Sequence, residues 1–83
     1  MMDWIKALEL GDVIFSEIEI SFKKNGVRVT IPPGEALMVL GNVTSDSTCT
    51  LQLLVRGEPV RFSETIERIG KTFKVAQRLS DAL

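Results

Sequence analysis

The sequence predicts a mainly β domain: a small five-stranded barrel with a short N-terminal helix and one helical turn before the last strand. Three observations carry this. Asn25-Gly26 sits between "ISFKK" and "VRVTI", two runs that alternate apolar and polar residues, which is the strongest short-range sign of a β-hairpin. "TCTLQLLV" (48–55) alternates too, with Cys49, Leu51, Leu53 and Val55 on one face and Thr48, Thr50, Gln52 and Leu54 on the other, as a half-buried strand does. Breakers at "GD" (11–12), "PPG" (32–34) and "RGEP" (56–59) divide the rest into segments of strand length. The 83 residues support one domain, 1–83, read as a helix over 1–10, a barrel over 11–78 and a tail at 79–83.

Taken in order, "MDWIKALEL" spaces Trp4, Ile5 and Leu8 as one helical face, with Asp3 able to cap the first turn. So short a helix is marginal alone and must pack on something. "VIFSEIEI" begins a strand. In the hairpin, a two-residue turn pairs Lys24 with Val27, Lys23 with Arg28, Phe22 with Val29, Ser21 with Thr30 and Ile20 with Ile31. Ile20, Phe22, Val29 and Ile31 then share one face, and a one-residue slip would turn that face to water. "EALMVLGNV" and "TCTLQLLV" are the third and fourth strands, joined by a polar loop around 44–48. "RGEP" makes a tight turn and "VRF" returns. "SETIERIG" reads as one helical turn, capped by Ser63 with Glu67 near the capping-box position and ended by Gly70. The spacing of Phe73, Ala76, Leu79 and Leu83 fits a helix, but Phe73 and Val75 also alternate with Lys74; a closing strand at 72–78 is expected, since an unpaired barrel edge would be a liability.

Composition narrows function. No histidine is present and Cys49 is the only cysteine. Ser-His and Cys-His nucleophile pairs, an internal disulfide and a structural zinc site are therefore all excluded, and neither cofactor nor metal is expected. Cys49, on the apolar strand face, reads as a small buried hydrophobe. "GKT" (70–72) lacks the glycine that a phosphate loop needs at position 65, which is Thr. Glu17 and Glu19 alternate as on one strand face, beside lysines, and read as solubilising. An enzyme is not expected. The apolar runs are too short to cross a bilayer, and "MMDWIKALELGD" carries acids where a secretory signal is apolar. The expected location is cytoplasmic.

The order of parts (a strand at "LGDVIF", a long hairpin, three strands in meander, a helical turn at "ETIERIG", a last strand at "TFKVAQ") resembles the Src-homology-3-like small barrel. In particular it resembles the short single-domain barrels encoded by phages and mobile elements. The resemblance covers roughly residues 10–78 and implies a binding module, an accessory factor that modulates a host or phage complex. The proline-peptide-binding members use a tyrosine and tryptophan patch; this chain has no Tyr, and Trp4 lies outside the barrel.

A protein partner is the leading expectation. Its candidate contacts are the hairpin tip (Lys23, Lys24, Asn25, Arg28), the loop at 44–48 and Trp4. Trp is enriched at interface hot spots, although a lone Trp near a terminus more often covers the core. The alternative is nucleic acid. The net charge of −1 argues against it, but the charge is uneven: residues 1–55 sum to −3 and residues 56–83 to +2. Arg61, Arg68, Lys71, Lys74 and Arg78 would be the contacts, with Phe62 and Phe73 interleaved. A homo-oligomer pairing edge strands between chains is the third reading.

Overall fold

The computed structural model describes residues 3–79. The elements are α1 (Asp3–Lys6), β1 (Val13–Ser16), β2 (Ile20–Lys24), β3 (Val27–Ile31), β4 (Leu37–Thr44), β5 (Thr48–Val55), β6 (Glu58–Thr65), α2 (Ile66–Thr72) and β7 (Phe73–Gln77). Five strands form one antiparallel sheet in the order β6-β5-β4-β1-β7, and β2 pairs with β3 as a separate hairpin. The protein is thus mainly β. No helix among the described residues is long and apolar enough to cross a membrane.

The sheet does not close into the expected barrel. β6 and β7 are its edges and share no ladder among the described residues. The connection between them is α2, which has seven residues rather than one turn, a length of about 10 Å. The expected helix boundaries also shift. Ser63 does not cap; its hydroxyl lies 2.9 Å from that of Thr50 across the β5–β6 pair, and strand pairing continues to Thr48–Thr65. Thr65 is the cap, its side chain accepting from the Arg68 N–H at 3.2 Å. Gly70 does not end the helix but is buried inside it.

β1 is shorter than "VIFSEIEI" suggested. Ser16 is fully buried, and its hydroxyl both donates to the Ile18 carbonyl and accepts from the Ile18 N–H. That local bonding competes with the ladder and turns the chain out of the sheet. Glu17 and Glu19 therefore lie beyond β1 rather than on a strand face. The closing strand is Phe73–Gln77, so the tail of the described chain takes the extended form. Leu83, part of the competing helical reading, lies outside the described residues.

One face of the large sheet carries the core. Ile14, Leu37, Val39, Cys49, Leu51, Leu53 and Val55 are buried there and meet Ile5, Leu8, Ile31, Ile69 and Phe73. Each such Leu or Ile contributes roughly 1.5–3 kcal/mol by leaving water. A bulge interrupts β4: Val39 pairs with Leu53, but Gly41 pairs with Gln52 and Leu40 is passed over. An extra residue reverses the alternation. Asn42 then points to the core side. It donates to the Ile5 carbonyl at 2.6 Å and accepts from Cys49 Sγ at 3.2 Å. Among the described residues, the helix expected over 1–10 is a four-residue α1 and a turn, fastened to β4; Met1 and Met2 lie outside them. Trp4 is half-buried and packs against the core.

Candidate protein-binding surface

The hairpin register matches all five pairs read from the sequence. Asn25 and Gly26 have φ of 53° and 79°, the left-handed geometry a type I′ turn requires. Ile20, Phe22 and Val29 are half-buried and Ile31 is buried. Ser21, Lys23 and Arg28 face water, with Lys23 directly opposite Arg28.

This hairpin leans on β6. Phe22 meets Phe62 edge-to-face with ring centroids 5.1 Å apart, and Phe62 meets Phe73 at 6.2 Å. Lys24 does not extend from the tip. Its ammonium reaches back to the Pro59 carbonyl at 2.7 Å and to Glu58 at 3.4 Å. Arg56 holds the hairpin from its other side, donating to the Thr30 carbonyl at 3.0 Å and to Glu35 at 2.9 Å.

Two clefts open between β2 and β6, one on either side of the Phe22–Phe62 contact. The first, ≈ 380 Å³, is lined by Ile18, Glu19, Glu64, Arg68 and Ile69. The second, ≈ 370 Å³, is lined by Lys23, Lys24, Asn25, Pro59 and Arg61. Phe22 and Phe62 line both, so the clefts adjoin as a β2–β6 groove that α2 also walls through Arg68 and Ile69.

The other candidates fall differently. Arg68 pairs with Glu64 (3.6 Å), Lys71 with Glu67 (3.0 Å), Lys74 with Glu17 (3.8 Å) and Arg78 with Asp12 (3.7 Å). Arg61 stands on β6 and Lys74 on β7, at opposite edges of the sheet. By contrast Lys23, Arg28 and Arg61 have no ion pair among the described residues. The structure thus gathers Lys23, Lys24, Asn25 and Arg61 about one cleft, with Arg28 across the hairpin from Lys23. No cleft or hydrogen bond among the described residues links Trp4 to them. The loop at 44–48 is pinned: Ser45 N–H donates to the Thr48 carbonyl (2.9 Å), and the Ser47 carbonyl receives the Ile66 N–H (2.9 Å).

One polar group escapes a reading by sequence spacing. Asp12 is 3% exposed and accepts from the N–H groups of Glu9 (3.0 Å) and Leu79 (2.9 Å). Burial opposes its charge, but those two amides and Arg78 outweigh it, and its carboxyl titrates below the usual range. Burial pushes the Cys49 thiol up, so it is a poor nucleophile. Asp12 had one available signal, its place after Gly11. Pro59 had another: a proline that tolerates a strand marks an edge.

Comparison with known proteins finds no matching family model, no matching curated protein and no matching solved structure.

Proposed function

We propose that this chain is a small, non-enzymatic protein-binding module of the Src-homology-3-like barrel type. In this reading it is a cytoplasmic accessory factor, of phage or mobile-element kind, that modulates a larger complex. The fold part is supported by the order of parts: a hairpin inserted between β1 and β4, a β4–β5–β6 meander, and α2 leading into β7 beside β1. The function part rests on one observation. The unpaired cations Lys23 and Arg61 line a groove together with the packed Phe22 and Phe62, a combination of apolar and charged surface suited to a protein partner.

Nucleic-acid binding has weaker support. Four of its five candidate cations are already neutralised by carboxylates, and counterion release needs charge that is free to meet phosphate. The test is affinity capture from the native host by the wild-type chain and by the variant K23E/R28E/R61E, read by mass spectrometry. A partner held by the wild type and lost by the variant is the expected result, with both chains equally folded by circular dichroism. RNA or DNA binding that weakens steeply with salt and is lost on R68A and K74A would overturn the proposal in favour of the alternative. Self-association in sedimentation, without any captured partner, would favour the homo-oligomer.

A further inference from the structure

We infer that the groove takes an extended segment of the partner, added as a strand to the open edge of β6, with apolar residues over the Phe62 side and acidic residues beside Lys23 and Arg61. This rests on the protein-binding reading and specifies its ligand. The first support is register. Arg56-Gly57 is a two-residue turn with both φ positive (50° and 84°), so the flanking pair Val55–Glu58 exchanges both hydrogen bonds. Counting along β6 from that pair, the backbone groups of Pro59, Arg61 and Ser63 point away from β5. Two contacts agree with this count. The Pro59 carbonyl is the one that Lys24 reaches from outside the sheet. In the hairpin, where Lys24–Val27 closes the turn in the same way, the outward carbonyl of Thr30 is the one that Arg56 reaches.

Pro59 has no N–H and therefore costs the ladder nothing. Arg61 and Ser63 offer an N–H and a carbonyl each, and these backbone groups have no hydrogen-bond partner among the described residues. A strand edge in this state is a template for another strand. Here it is not open to any strand. β2 and the residue before it form the facing wall, with Lys23 at one end of the groove and Glu19 at the other.

The charges set polarity. Lys23 and Arg61 are unpaired, whereas Glu64 at the far end is tied to Arg68. Ile18, 58% exposed, and Ile69 supply apolar lining beside the Phe rings at that far end. A segment antiparallel to β6 would thus enter with its apolar residues and leave with its acids.

The probe is the synthetic peptide acetyl-Thr-Val-Thr-Val-Thr-Glu-Glu, compared with a version ending in Lys-Lys and with one N-methylated on the amides facing β6. Backbone amide exchange is followed by NMR on the wild-type chain. The acidic peptide is expected to protect the Arg61 and Ser63 amides and to bind about tenfold more weakly to R61E; both control peptides should leave those amides unprotected. S63P, which removes an outward N–H, should abolish binding while the β5–β6 ladder stays protected. The exchange result on the wild-type chain stands whether or not that variant folds. Absence of binding at millimolar peptide, or protection elsewhere, overturns strand addition. Concentration-dependent protection of the same two amides without peptide also overturns it and assigns the edge to a second copy. If K23E/R28E/R61E loses its captured partner while these amides stay open, strand addition fails and the binding module stands. If the partner is retained, the groove is not its contact and strand addition fails; if the wild type captures no partner at all, the binding-module reading itself fails.

Discussion

The cations of the last strand and helix differ from those of the β2–β6 groove in what they face. Arg68, Lys71, Lys74 and Arg78 each sit near a carboxylate, on the end of β6, on α2 or on the chain near β1. Lys23, Arg28 and Arg61 have water. By net charge alone the C-terminal third is the more basic, yet in the fold most of its cations meet carboxylates. The lesson is that net charge by segment says little once folding brings distant acids in: Asp12 and Glu17 come from the acidic half of the chain and neutralise the basic one.

The comparison is broken most forcefully at Asp12, the one member of the paired set that is buried. Asp12→Asn leaves Arg78 and two amides facing a group that can no longer carry charge. It should cost about 2 kcal/mol in urea unfolding, since a buried charged acceptor of two amide hydrogen bonds is lost. A loss near zero would put Asp12 among the surface pairs. Its acid titration makes a second, linked prediction. The folded carboxyl titrates below its unfolded value of about 4, so its contribution is complete above that value and is lost as pH falls through the folded one. The wild type should lose stability on acidification below about pH 4 more steeply than Asp12→Asn. Parallel curves would remove Asp12 as the cause.

The remaining pairs are exposed, and their effects should be small. Lys71→Ala removes an i,i+4 pair on the surface of α2 and should cost no more than about 0.5 kcal/mol. A cost above about 1 kcal/mol would mean that this pair holds the helix between the sheet edges. At the opposite pole, K23E/R28E/R61E should change stability by about 0.5 kcal/mol or less per substitution, as changes at exposed positions do, while removing partner capture. If it unfolds the protein, the groove cations serve the fold and not recognition.

What could be read from sequence followed from local chemistry. Asn25-Gly26 dictates its own turn, and the turn dictates the register of β2 with β3; no distant residue has a vote. The alternation of β5 was legible for the same reason. Gly70 misled because a glycine ends a helix only where it takes a left-handed conformation, and here helix packing buries it instead. The bulge at Leu40 had one mark, Gly41 inside the strand, but "LMVLGNV" alternates poorly in either phase, and the inward turn of Asn42 showed only in the fold. The groove was half legible. Lys23 and Arg28 followed from the hairpin, but Arg61 joined them only because β2 lies along β6, a contact between elements more than thirty residues apart.

Cys49 gives the molecule a built-in reporter. The only thiol in the chain is 1% exposed, lies near the start of β5 on its buried face and is bonded to Asn42. A disulfide reagent can therefore react with it only during moments when β4 and β5 part or the N-terminal segment lifts. At reagent concentrations where closing outpaces modification, the labelling rate reads the free energy of that opening directly. A rate that follows urea stability across the Asp12 and Lys71 variants would show the sheet opening as one unit. A faster rate would show that the N-terminal flap breathes on its own, and the native protein would have been its own probe throughout.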